Sequence, residues 1–391
     1  MQMTFEAIAE ARPGTKWQSL FRRFWPGYRN WYLSRGGAHG PSLAKCERQL
    51  ARYMPELLPT YERLVELADH DSLAARFLTG YRPPAYLVSC SQAVWPQRQG
   101  PLLIRNFDLA PDINEGLILH SAWNGQGVIA TGECLWGASD GVNQRGLAAS
   151  LTFGGRRVIG DGFGIPLIIR YLLETCSSTE QAVVALCRIP SHMAYNVTVV
   201  DREGDYATVM VAPDRPARVT RRRVATNHQE KIDWPERARF TRTLERERFL
   251  CQRLLNPRTT ARSLIQDFLK APLYSQGHAQ GFGTLYTAVY NPARGEAEYH
   301  WPDGVWRQSL SDFQEGERQV RFAQPQGQPH QGQDFDLGAL LGPALGVLRQ
   351  VLDSAAPPGA ARRFDELLEE NRRSGQFPWQ GFAGLWAPSH D

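Results

Sequence analysis

Apolar positions in the first 89 residues recur at intervals of three and four. Leu50, Tyr53, Met54, Leu57, Leu58, Tyr61, Leu64 and Val65 share one helical face. This spacing predicts that residues 1–89 are mostly helical. Pro55 and Pro59 fall inside the pattern, so a helix should break near Met54 and restart with proline in its first turn. Beyond residue 89 strand patterns take over. Leu102-Leu103-Ile104 reads as a short buried strand. Residues 196–200 and 206–211 flank Asp201-Arg202-Glu203-Gly204-Asp205, a hairpin signature. Residues 285–290 and 298–301 flank a loop from Pro292 to Gly295 and predict a second hairpin.

Two helices are expected between these strands. One starts near Pro166 and runs through Ile169, Leu172 and Leu173. The next opens on Ser177-Ser178-Thr179-Glu180, a capping-box pattern, and reaches Leu186. Helices before and between hairpin-connected strands argue for an α+β layered domain rather than a parallel doubly wound sheet. Residues 323–336, rich in Gln, Pro and Gly, read as a linker. After it, 337–352 is expected as a helix and 377–386 as an aromatic tail docking on the body. On this reading 337–391 completes the same domain.

At 391 residues with 42% hydrophobic composition, the chain can bury a substantial core. A net charge of +4 is weak for that length. The densest basic run, Arg221-Arg222-Arg223, lacks interleaved aromatics and suits a solvated turn better than nucleic acid. The cysteines at 46, 90, 134, 176, 187 and 251 include no C-x-x-C pair and no Cys/His cluster, so no metal is expected. All but Cys90 read as buried small hydrophobes. Gly160-Asp161-Gly162-Phe163-Gly164 lacks dinucleotide-binding spacing, and neither a P-loop nor H-E-x-x-H occurs, so no cofactor is expected. The N-terminus lacks a signal pattern and no run approaches a membrane span, which leaves a cytoplasmic location and no membrane partner as the expectation.

One cysteine stands out. Cys90, within Tyr86-Leu87-Val88-Ser89-Cys90-Ser91-Gln92-Ala93, is followed fifteen residues later by Arg105-Asn106-Phe107-Asp108. Cutting the Ser89–Cys90 bond would make Cys90 a chain terminus with a thiol and a free α-amine. Nucleophile and general base would then share one residue. An unperturbed α-amine has a pKa of about 7.7–8.0, so part of it is unprotonated near neutral pH. Pro83-Pro84 before and Trp95-Pro96…Gly100 after imply turn-rich chain around the cysteine. Read alone, Arg105 and Asp108 fit an ordinary surface ion pair better than a site.

These residues and the order of later motifs resemble the cysteine N-terminal-nucleophile (Ntn) hydrolases. The nearest branch is penicillin acyltransferase-like, with choloylglycine hydrolase more distant. The resemblance covers roughly residues 45–300. It implies a four-layer αββα sandwich with 1–89 as a helical prosegment, released by self-cleavage, and 90–322 as the core. It also implies that Arg105 packs beside the nucleophile and Asp108 bonds to its amine. Asp140-Gly141-Val142-Asn143-Gln144-Arg145-Gly146-Leu147 resembles the segment that places an asparagine at the oxyanion hole, which makes Asn143 a candidate. Ala225-Thr226-Asn227-His228 resembles the family's Thr-Asn pair, and Asn227 would serve the same intermediate. Arg237-Ala238-Arg239-Phe240-Thr241-Arg242 resembles its Ser-Arg segment, with Ala238 in place of serine. The late site arginine is therefore Arg239, with Arg242 the alternative register.

The implied activity is a self-processing amidohydrolase or acyltransferase. It would act on a small linear amide or thioester through a Cys90 acyl-enzyme, with water or an amine as acceptor. The cleaved 1–89 chain would stay as a heterodimer partner. Two other readings compete: a non-processing ligand-binding protein on the same scaffold, and a papain-like Cys-His hydrolase using His120, His192 or His228.

Overall fold

The structure, a computed structural model, describes residues 1–322 apart from 86, 98 and 99. These residues lie within one compact unit, Met1–Pro325. The expected linker 323–336, the helix 337–352 and the tail 377–386 lie outside the described residues.

Strand β1 (Gln2–Glu10) opens the chain. Helices α1 (Thr15–Ser34), α2 (Leu43–Tyr53), α3 (Leu58–Leu67) and α4 (Ser72–Leu78) follow. Then come β2 (Ser89–Trp95), β3 (Leu102–Leu109), β4 (Leu117–Ser121), β5 (Val128–Glu133), β6 (Gly137–Asn143) and β7 (Leu147–Phe153). Helices α5 (Ile165–Thr175) and α6 (Thr179–Arg188) precede β8 (Tyr195–Asp201), β9 (Tyr206–Ala212), β10 (Arg215–Thr220) and β11 (Val224–Ala225). Last are α7 (Pro235–Phe240), α8 (Thr243–Leu255), α9 (Ala261–Phe268), β12 (Gln276–Gly277), β13 (Phe282–Asn291), β14 (Glu296–Trp301), β15 (Gly304–Ser309) and β16 (Gly316–Arg321).

The strands form two sheets. The first runs β10-β9-β8-β7-β6-β5-β4-β1-β16. The second runs β11-β2-β3-β13-β14-β15, with β12 added beside β13. Helices α5 and α6 cover the first sheet, α8 and α9 cover the second, and β2 and β3 face β7 between them. This is a four-layer αββα sandwich. Side-chain alternation builds it: Cys90, Val94, Leu103 and Phe107 enter the core between the sheets. From the same two strands Ala93, Leu102 and Ile104 go the other way, to Leu250, Leu264 and Phe268 under α8 and α9. Each fully buried Leu, Ile or Phe contributes roughly 1.5–3 kcal/mol.

The proline punctuation has its expected effect. Helix α2 stops at Met54, and α3 restarts with Pro59 in its first turn. Both hairpins form, and Ser178 caps α6 by accepting from the Gln181 backbone N–H. The expectation of a mostly helical first segment misses β1. Met3, Phe5 and Ala7 alternate into the core, and β1 pairs parallel to β4 and antiparallel to β16. Two of the cysteines read as core, Cys187 and Cys251, are exposed.

Candidate active site

Cys90 sits on β2 with its side chain in the core between the sheets. The β2–β3 register sets Ser89 opposite Asp108, Cys90 opposite Phe107 and Gln92 opposite Arg105. Arg105 and Asp108 are an odd number of residues apart, so they leave β3 on opposite faces. Arg105 shares the inner face with the thiol, and its Nη2 donates to Cys90 Sγ at 3.2 Å. Its Nη1 donates to Ser139 O at 3.0 Å and pairs with Asp140. Asp140 also accepts from the Tyr286 and Tyr290 hydroxyls, at 3.0 and 2.6 Å. The guanidinium is thus fully buried and held through both Nη atoms, while its Nε is covered and has no partner; the counter-charge on Asp140 makes the burial tolerable. Burial pushes the Cys90 thiol up to about 11, and Arg105 is the strongest influence against it.

Asp108 faces the outer layer. Its Oδ1 accepts from Thr284 Oγ1 at 2.7 Å. Its Oδ2 is buried without a hydrogen-bond donor, and Arg246 Nη1 stands 3.5 Å away. Burial raises this carboxyl to about 6, with Arg246 and the Thr284 hydroxyl opposing.

The edge of β2 explains the remaining partners. Strand β11 reaches β2 only at Ala93 and Gln92, so the Cys90 backbone lacks a strand neighbour on that side. Asn227, just past β11, takes the place: its Oδ1 accepts the Cys90 N–H at 3.1 Å. Arg246 of α8 donates through Nη1 to Cys90 O at 2.7 Å and Ser91 Oγ at 2.8 Å. Its Nη2 donates to Asn227 Oδ1 at 2.6 Å. The Asn227 Nδ2 bond to Phe153 O is long, 3.4 Å, which leaves this amide a weakly committed donor beside the cysteine.

The structure therefore brings together Cys90, Arg105, Asp108 and Asn227, with Ser89 at the proposed cut. It does not bring in Asn143 or Arg239. Asn143 donates to Leu173 O at 2.9 Å and Cys176 O at 2.7 Å, and accepts from Leu147 N at 2.9 Å. It fastens the β6–β7 turn to the C-terminal carbonyls of α5, and both its amide donors are spent there. Arg239 is 73% exposed and lies 3.9 Å from Glu236. The alternative, Arg242, is also exposed, on Glu245. Arg242 has a left-handed φ of 51° and separates α7 from α8, so the helical register does not carry across it.

Sequence reasoning missed Arg246. A signal existed: Thr243, Arg246 and Leu250 have the spacing of one buried α8 face. Among the described residues no histidine hydrogen-bonds Cys90. His228 lies between Thr243 and Glu247, His192 bonds Gly160 O, and His120 packs on Phe313. A cavity between the N-terminal helices and the core has Trp31, Phe77, Pro83, Trp136, Met193 and Tyr195 in its walls, and Cys90 is not among them.

Among the described residues no helix is long and apolar enough to cross a membrane. No curated protein matches the sequence. Penicillin V acylase from Agrobacterium tumefaciens shares 14% identity over 57% of this chain and 86% of its own, with a TM-score of 0.40. A variant of conjugated bile acid hydrolase from Clostridium perfringens shares 12% over 62% of this chain and 100% of its own, TM-score 0.37. The Caenorhabditis elegans ortholog of N-acylethanolamine-hydrolyzing acid amidase shares 16% over 52% and 93%, TM-score 0.38. The profile of the acyl-coenzyme A:6-aminopenicillanic acid acyl-transferase family matches residues 95–306, more than half of the sequence. By that match the chain belongs to the acyl-coenzyme A:6-aminopenicillanic acid acyl-transferase family.

Proposed function

We propose that this protein cuts itself between Ser89 and Cys90 and then cleaves or transfers the acyl group of a small linear amide or thioester. The observation that carries the reading is the convergence on Cys90. A buried guanidinium touches its sulfur, and Arg246 joins its carbonyl to a buried carboxylate whose second oxygen lacks a donor. An α-amine freed at Cys90 would supply the donor that Asp108 Oδ2 lacks.

Maturation begins when the Cys90 sulfur bonds to the Ser89 carbonyl carbon. The Ser89–Cys90 C–N bond breaks and its nitrogen takes the thiol proton. Water then hydrolyses the resulting ester of the thiol, leaving a Ser89 carboxylate and a Cys90 amine. In turnover the same sulfur attacks the substrate carbonyl while the Cys90 amine accepts the thiol proton and passes it to the leaving group. Arg105 favours the thiolate. Asn227 Nδ2 is the side-chain donor available for the oxyanion. Water or an amine then resolves the acyl-enzyme.

The papain-like reading lacks a histidine at the thiol, and the scaffold-only reading leaves the polar network around Cys90 without a use. A denaturing gel tests all three. Self-cleavage gives two fragments, the larger beginning at Cys90, and Cys90→Ala leaves one band near 44.0 kDa. An active wild-type protein with residues 89 and 90 still joined would overturn the proposal.

A further inference from the structure

Arg237 stands outside the machinery described above. It lies on α7, half-buried, and its Nη2 donates to Ser89 Oγ at 3.1 Å. Its Nε is covered and has no hydrogen-bond partner, and among the described residues it makes no ion pair with a carboxylate. Burial, aided by the nearby Arg246 cation, lowers its pKa to about 10. Around the cysteine, Arg105 has Asp140 and Arg246 has Asp108. Arg237 is the guanidinium left over, facing the residue that departs.

During maturation the attacked carbonyl is that of Ser89. During turnover the same sulfur must meet a substrate carbonyl, so the surroundings of the Ser89 side chain become the surroundings of the substrate's acyl substituent. We infer that Arg237 forms an acyl-side recognition site favouring substrates whose acyl group carries an oxygen, a carboxylate first, at the γ position that Ser89 Oγ holds beside it. Malonyl-type acyl groups meet this description. Their carboxyl carbon matches Cβ of serine, and their carboxylate oxygens match Oγ. A carboxylate there supplies the counter-charge that the fold does not. The inference rests on Cys90 being the nucleophile.

The test uses two anilides, N-malonyl and N-isovaleryl 4-nitroanilide, in which the carboxylate is exchanged for an isopropyl group of similar size. Wild type should prefer the malonyl compound in kcat/KM. Arg237→Met should lower the malonyl-to-isovaleryl ratio by about 10- to 100-fold, the range for a hydrogen bond to a charged group. Arg237→Lys should keep part of the preference. A second measurement needs no variant: malonamate should protect wild-type Cys90 from iodoacetamide at concentrations where isovaleramide does not. An unchanged ratio in Arg237→Met, or equal protection by the two amides, overturns the assignment. If wild type neither cuts itself nor turns over either anilide, the Cys90 reading falls, and this inference with it. Self-cleavage and isovaleryl turnover with no dependence of the ratio on Arg237 removes this inference alone.

Discussion

Replacing Asp108 by asparagine separates what the carboxylate does for chemistry from what it does to stability. In the uncut chain the group is buried, and its pKa is raised to about 6. In the unfolded chain it is about 3.9. Between these values the unfolded state has released the proton and the folded state keeps it, so stability falls as pH rises. The contribution is fully present below about 3.9 and lost above about 6. A difference of roughly two units at about 1.36 kcal/mol each gives about 3 kcal/mol. The comparison is urea unfolding of the uncleavable Cys90→Ala chain with and without Asp108→Asn, at intervals from pH 4 to 7.5. Other titrating groups cancel in the difference. Near pH 4 both chains carry a neutral side chain at this position. Toward pH 7 the asparagine chain should gain by about 3 kcal/mol. With Cys90 intact, Asp108→Asn should nevertheless cut itself more slowly, because it offers the new amine no charge. A stability difference flat across this range would show that the carboxyl ionises as easily inside the fold as outside, and the account of Asp108 would be wrong.

The pH dependence of self-cleavage follows from the thiol. With Cys90 pushed up to about 11, chain made by cell-free synthesis should mature about tenfold faster per pH unit between 6 and 9, read as band conversion on timed gels. A rate independent of pH would mean that the thiol is already ionised. Arg246→Met should slow maturation at least 100-fold, since it strips charge-assisted bonds from Cys90 O and Asn227. Arg239→Gln and Arg242→Gln should stay within about threefold of wild type in the same gels. Asn143→Ala should cost about 1–3 kcal/mol in urea unfolding, since Cys176 O loses its side-chain donor while Leu173 O keeps Gln126, yet still mature at the wild-type rate.

The sequence and the structure agree most where a signal was local. Pro166 in the first turn of α5, Ser178 at the cap of α6 and the turn at Asp201–Asp205 each act on their nearest neighbours. Arg105 and Asp108 were legible through the resemblance of Arg105-Asn106-Phe107-Asp108 to the family's segment, and the strand then sends them to opposite faces. Arg246 was not. Arg242 and helix α8 after it read Arg242, Glu245, Arg246, Glu247 and Arg248, and which arginine turns inward depends on how the helix seats against β2. Asn143 misled for a similar reason. A glycine-flanked asparagine suits a turn and an oxyanion hole alike, and only the position of α5 shows that its amide is taken. Strand β1 carries the alternation Met3, Phe5, Ala7, but it stands directly before a long helical pattern that dominates the segment.

The place of β1 carries a consequence for how the two pieces live together. Residues 2–10 are threaded between β4 and β16, sharing backbone hydrogen bonds with both, and Phe5 packs 5.1 Å from Trp301 and 6.0 Å from Tyr286. A nick at residue 89 would leave the larger piece gripping its smaller companion from both sides, as a dovetail joint does. Synthesised without that companion, residues 90–391 would lose the rung next to the end of the ladder and bare the facing edges of β4 and β16. A segment cut at residue 89 would thus serve as a structural member rather than as a leader to be discarded.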